Sequence, residues 1–242
     1  MFALFDDCWN PDPKLGPQPA PIPSVHNSQW VQCPGQQAVS NHTMFPIFED
    51  YVKGILDHFG KDDRVLIWDL YNEPGNSGHG NETFQLLEKV FQWAREAKPS
   101  QPMTAGLWNY GSDFQDLNNL QLSHSDIITF HKYDTIDNFN SLISSIEVHA
   151  KGRPYFCSEY MARPLQSTFI SHLPVMKEKK IGGINWGLVS GKTQTIYPWW
   201  SKKGDPVPTV WFHDIFYADG KPFDENEVDF IRNQTRREII NK

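Results

Sequence analysis

The sequence predicts an α/β fold: an incomplete TIM-type (β/α) barrel formed as a single domain over residues 1–242. Three observations point to it. Six short, almost wholly apolar runs alternate with helical patterns, as expected of parallel strands covered on both faces by helices. At least five runs end, on the carboxyl side, in side chains able to do chemistry, and a barrel gathers all such ends around one mouth. No GxGxxG or GxxxxGK[ST] loop occurs, which argues against the switch-point site of a doubly wound sheet. Six units are counted, whereas a closed barrel needs eight.

The first run is Phe2-Ala3-Leu4-Phe5, ending in Asp6-Asp7-Cys8-Trp9. The segment from Asn10 to about Asn41, rich in Pro, Gly and Asn, is too long for an ordinary connection and reads as a functional loop or lid. A helix is expected over about Thr43–Phe59, with Phe45, Phe48, Val52, Ile55 and Leu56 on one stripe. The second run, Val65 to Tyr71, ends in Asn72-Glu73-Pro74. A helix over about Thr83–Ala97 follows and Pro99 stops it. The third run is Met103 to Trp108, and the fourth is Ile127 to Phe130, ending in His131-Lys132-Tyr133. A helix over about Asp137–Ala150 comes next, with Asp137 as its N-cap. The fifth run, Tyr155 to Ser158, ends in Glu159-Tyr160, and a helix over about Leu165–Lys179 follows. The sixth run is Gly183 to Val189. A loop rich in Trp and Pro then leads to a last helix near Glu225–Ile239.

Composition narrows the function. A net charge of -7 without long runs of Lys or Arg offers no field to gather nucleic acid or an anionic membrane. No apolar stretch reaches the length of a membrane span, and the N-terminus lacks a signal-peptide pattern. Three cysteines, Cys8, Cys33 and Cys157, do not make a disulfide framework. A Cys8–Cys33 bridge and two free buried thiols both remain open. His26, His42 and His79 lack tight ligand spacing, so no metal is expected. The nine Trp serve either as core filling or as stacking faces in a cleft. Those beside polar residues at strand ends favour the second role, while the Trp199-Trp200 pair fits loop packing equally well.

Two carboxylates stand out. Glu73 lies just past a buried strand, and Pro74 cannot continue the ladder there. Glu159 ends the fifth run. Read alone, each is equally a turn or surface acid. Together they are what cleavage of a glycosidic bond needs: one neutral carboxyl to protonate the leaving oxygen, and one carboxylate to attack carbon or activate water.

Four motifs in order, WDLYNEPGN, FHKYD, YFCSEYMARP and GINWGLVSGK, resemble those of clan A glycoside hydrolases, nearest to the cellulase-like family five and related β-1,4-glycanases and xylanases. The resemblance runs from about Phe2 to about Trp200. It implies a retaining hydrolase acting on β-glucan, xylan or a related plant polysaccharide or oligosaccharide, without cofactor. It implies Glu73 as acid/base and Glu159 as nucleophile, on strands four and seven, which face each other across a barrel mouth. Asn72 matches the asparagine that bonds the sugar 2-hydroxyl, and His131 and Tyr133 match a His-x-Tyr in which the Tyr hydroxyl orients the nucleophile and lowers its proton affinity. His131 alone would equally suit a core histidine bonded to backbone. Trp186 matches the Trp that floors the cleaving subsite. Asp7, Trp9, Trp108 and Asn109 lie at strand ends suited to substrate contact.

In the same resemblance Phe2–Trp9 corresponds to the third barrel strand, so the first two β-α units are expected to be absent, and with them an Arg that bonds the nucleophile. Open sheet edges invite pairing, so a homodimer covering them is expected. Two other readings fit parts of the sequence. One is a catalytically weak or degenerate carbohydrate-binding relative. The other is a Ser-His-Asp hydrolase, which the absence of a GxSxG elbow disfavours.

Overall fold

The computed structural model describes residues 1–236. They form six strands and seven α-helices, and divide into two compact units. The first unit comprises residues 1–19, 29–130 and 149–154; the second comprises 20–28, 131–148 and 155 onward.

In the first unit, β1 (Phe2–Asp6), β2 (Trp68–Asn72) and β3 (Met103–Thr104) form a parallel sheet in that order. β2 is buried along most of its length, which is why it reads as a continuous apolar run rather than an alternating one. The register sets Phe2 opposite Trp68 and Asp6 opposite Asn72. Parallel pairing therefore brings the residues after β1, Asp7 and Cys8, beside those after β2, Glu73 and Pro74.

The connection from β1 carries a short helix, α1 (Gln36–Val39). Helices α2 (Phe45–Phe59) and α3 (Phe84–Ala97) pack on each other, and α3 packs on α4 (Gln115–His124). Phe48, Val52 and Leu56 of α2 are buried with Leu86, Leu87, Val90 and Phe91 of α3, joining Phe5, Leu70 and Tyr71 in one core. This is the expected stripe at helical spacing.

α4 has no counterpart in the sequence expectation. Its buried set is only Leu117, Leu120 and Gln121, and the Asn, Gln and Ser between them blur the periodicity. The third run is also shorter than expected. Only Met103–Thr104 pair as strand, and Leu107 rejoins through a parallel bridge to Phe130.

β4 (Ile128–His131) begins in the first unit and its last residue opens the second. With β5 (Tyr155–Glu159) and β6 (Gly182–Gly183) it makes the second three-stranded sheet, order β4-β5-β6. The sixth run pairs as strand only at its start. Gly182 sits where a Cβ would come within 2.2 Å of the Phe156 ring, so close backbone approach requires glycine there.

α5 (Ile136–Ala150) opens at Ile136, so Asp137 lies in its first turn and is not the cap. α6 (Phe169–Glu178) starts later than expected, because Thr168 and Ser171 form a reciprocal capping box. α7 (Glu225–Thr235) is capped by Asp224 and packs on α6. The expected helix ran to Ile239, and residues 237–239 lie outside the described residues. The core of this unit includes Phe139, Tyr160, Met161, Phe169, Met176 and Phe212. Arg163, whose side chain is eight per cent exposed, is paired with Glu227 of α7 and also donates to the Trp211 and Asp214 carbonyls. No helix among the described residues is long and apolar enough to cross a membrane.

Two buried histidines predict acid sensitivity. Burial lowers His26 to about 4 and His213 to about 3, from an ordinary 6.5. The neutral His26 ring bonds the Tyr197 carbonyl at 2.6 Å through Nδ1. Such a group contributes stability above pH 6.5 that is lost as pH falls toward the folded value, because the unfolded state takes up the proton first. Asp6, raised to about 6 by burial, acts in the opposite sense over its own range, so the comparison must isolate one histidine. Between pH 7 and pH 5, urea unfolding of His26→Asn is expected to lose roughly 2 kcal/mol less than the unsubstituted protein. Parallel pH dependences of the two proteins would contradict it.

Candidate active site

Glu73 follows β2 directly. Its backbone is left-handed, φ 44°, a conformation that costs a non-glycine residue on the order of 1–3 kcal/mol and persists only where the surroundings enforce it. Here the surroundings do so. The Asp7 carboxylate accepts from the Gly75 backbone N–H at 2.8 Å, the Thr83 hydroxyl at 2.6 Å and the Tyr71 hydroxyl at 2.7 Å. Gly75 itself has φ 83°, and a Cβ there would sit within 2.9 Å of Phe114 and the Gly80 carbonyl. On the other side, the Trp108 indole N–H donates to the Pro74 carbonyl at 2.9 Å. Two residues expected to touch substrate therefore hold the turn that carries Glu73. Asp7 is fully buried with its oxygens satisfied by protein, because burying a carboxylate demands such partners.

The side chain of Glu73 is half-buried. Its Oε2 accepts from the Cys8 thiol at 3.1 Å and from the Asn76 amide. Asn72 and Asn76 amides in turn point at the Cys8 sulfur, at 3.6 and 3.5 Å. Burial, with the nearby Glu73 and Asp6 charges, pushes the Cys8 thiol well above its ordinary range, so at neutral pH it is a proton donor and not a thiolate. Cys8 and Cys33 are both free. The sequence leaves Cys8 either as half of a bridge to Cys33 or as a free buried thiol, and gives it no place beside Glu73. The usable signal was the parallel register, which sets the residues just past β1 against the Asn-Glu-Pro turn.

Glu159 ends β5 in the second unit and is half-buried. The Tyr133 hydroxyl donates to its Oε2 at 2.6 Å, within the range of strong charge-assisted bonds. His131 is buried, with Nδ1 3.6 Å from the same oxygen. The Lys132 backbone N–H bonds the Glu159 carbonyl at 2.9 Å, which ties the end of β5 to the segment after β4. The Tyr133 ring meets Trp199 edge-on at 5.0 Å and His213 at 5.3 Å. Trp186 is half-buried in the loop past β6.

The remaining expected contacts are less committed. Trp9 is exposed and left-handed, φ 73°, and its carbonyl takes the Gln32 amide. The Asn109 side chain closes a local turn by accepting from the Gly111 N–H at 3.0 Å. His26 and His79 spend ring nitrogens on protein, on the Tyr197 carbonyl and the Gln32 amide oxygen.

One carboxylate stands just past β2 and one ends β5, and the family match makes the chain a glycoside hydrolase of the cellulase-like fold. The family model described as Cellulase (glycosyl hydrolase family 5) matches residues 22–191, and the chain belongs to that family. No curated protein matches the sequence.

Among solved structures, a glycosylated endo-β-1,4-xylanase of glycoside hydrolase family 10 from Gloeophyllum trabeum is 12% identical with a TM-score of 0.52. The match covers 88% of this chain and 73% of the xylanase. A β-glucuronidase from Bacteroides uniformis is 15% identical with a TM-score of 0.54, over 72% of this chain and 24% of the glucuronidase. A putative β-galactosidase from Bacteroides fragilis is 14% identical with a TM-score of 0.52, over 78% and 31%. The chain thus spans about a quarter to a third of these two larger relatives. The likeness carries the fold: the six β-α units are those of an incomplete TIM-type barrel.

Proposed function

We propose that this chain is a retaining β-glycosidase acting on a β-linked plant glycan such as β-glucan or xylan, with Glu73 as acid/base and Glu159 as nucleophile. The observation that carries the reading is the 2.6 Å hydrogen bond from Tyr133 to Glu159 Oε2. A tyrosine hydroxyl donating to a carboxylate oxygen orients the group for attack on the anomeric carbon. The strained, enforced turn under Glu73 supports its part, since strain of this kind clusters at functional sites.

In the first step a Glu159 oxygen bonds to the anomeric carbon while the glycosidic C–O bond breaks and the Glu73 proton passes to the leaving oxygen. A glycosyl ester of Glu159 results. In the second step Glu73, now a carboxylate, takes a proton from water as that water attacks the anomeric carbon. The ester bond breaks, Glu159 is free again, and two inversions sum to retention. Asn72 would bond the sugar 2-hydroxyl and Trp186 would lie under the ring.

Proton NMR of the first-formed sugar from an aryl β-glycoside tests the reading. The β anomer is expected before mutarotation, together with carboxyl groups about 5 Å apart in a crystal structure with substrate analogue. An α first product would overturn the retaining mechanism. No turnover on any β-glucan, xylan or mannan would leave the chain a binding relative.

A further inference from the structure

Resting on the glycosidase reading, we propose that Trp200, with Trp199 beside it, is an outer sugar-binding platform that stacks on a pyranose ring of a bound β-glycan beyond the cleaving subsite. Trp200 is 58% exposed and Trp199 39%. A large aromatic surface left in water is unfavourable by roughly 25 cal/mol per Å², and here the exposed rings are held in place. The fully buried Phe212 ring meets Trp199 at 4.9 Å and Trp200 at 5.6 Å, both edge-on.

The loop bearing the pair is pinned at both ends by one buried residue. His26 bonds the Tyr197 carbonyl through its ring at 2.6 Å, and its backbone N–H donates to the Ser201 hydroxyl at 3.1 Å. The Ser201 N–H closes the turn on the Pro198 carbonyl at 3.0 Å. A ring already ordered loses little entropy when a ligand covers it, which is the property of a recognition anchor rather than of a mobile loop.

Continuity with Glu159 gives the platform its ligand. Within the second unit the Tyr133 hydroxyl touches Glu159, the Tyr133 ring touches Trp199, and Phe212 joins Trp199 to Trp200. A glycan whose reacting sugar lies at Glu159 and whose next units run along these rings would meet Trp200 with an apolar ring face. Neutral sugars suit such a surface, since aromatic faces contact C–H groups without needing charge.

The test compares KM for a β-1,4-linked polysaccharide with KM for a short aryl β-glycoside. In Trp200→Ala the ratio of the two is expected to rise roughly fivefold to tenfold, with kcat on the polymer little changed, and Trp200→Phe should recover part of the loss. A second arm uses Glu159→Gln and cello- and xylo-oligosaccharides in calorimetry, where Trp200→Ala should weaken binding by the same factor. An unchanged ratio with unchanged oligosaccharide affinity overturns the platform. So does an equal loss on both substrates, which indicates a packing role, or a change confined to the light-scattering mass, which indicates a protein contact. If the unsubstituted chain hydrolyses nothing, the glycosidase reading fails by itself, and the calorimetric arm still decides the platform.

Discussion

Glu159→Ala is expected to lower kcat on a natural β-glycan by on the order of 10⁴-fold or more, because the covalent route is lost and no other side chain replaces an oriented nucleophile. Folding should survive. Glu159 is half-buried at the end of β5, and its backbone keeps the Lys132 hydrogen bond whatever the side chain. The variant leaves a space beneath the Tyr133 hydroxyl, now without its 2.6 Å acceptor. A small anion can enter there and attack the anomeric carbon directly. Added azide should therefore restore turnover of an activated aryl β-glycoside and yield the α-glycosyl azide, a single inversion. The same variant without rescue, or rescue giving the β-azide, would remove Glu159 from the nucleophile's role. Tyr133→Phe should show a smaller loss in the same direction, since it removes only the hydrogen bond that holds the carboxylate.

Much of the frame was legible because the relevant signals are local. β2 and β4 are buried along most of their length and β1 and β5 over part of theirs, and so they read as apolar runs. α2 and α3 bury one stripe each and so read as periodic. Glu73 and Glu159 stood out because each closes such a run. What was not legible depends on neighbours distant in sequence. α4 is held by contact with α3 more than by its own pattern. β6 pairs only over Gly182–Gly183, where the Phe156 ring lies against Gly182. Asp7 resembled a substrate ligand in sequence, yet its carboxylate is consumed by Tyr71, Gly75 and Thr83, a partnership that only the β1–β2 register reveals. Cys8 is the same case with a different outcome. Nothing in its local sequence marks it, and the register places its thiol 3.1 Å from Glu73 Oε2. The bond from the Trp108 indole N–H to the Pro74 carbonyl is likewise invisible in the local sequence.

Glu73→Ala should separate the two halves of the reaction by leaving group. A natural glycan leaves as an alkoxide unless protonated, so loss of the acid should cost about 10²- to 10⁴-fold on such substrates. A dinitrophenyl β-glycoside leaves without help, so its first step should proceed nearly as before. The glycosyl ester should then accumulate, because the base that activates water in the second step is the same residue. The expected signs are a burst of dinitrophenol, a low apparent KM, and a mass increase of one glycosyl group on the protein. Azide should speed the second step, since it needs no base, and should give the β-glycosyl azide by a second inversion. That configuration is opposite to the one expected from Glu159→Ala, so the pair of variants assigns the two carboxylates against each other. The Cys8 thiol and Asn76 amide lose their shared acceptor in this variant. Glu73→Gln, which keeps an oxygen to accept from them, must therefore show the same leaving-group dependence if the effect belongs to the proton and not to the packing. Equal losses on glycan and dinitrophenyl substrates in both variants, with no burst, would refute Glu73 as the acid.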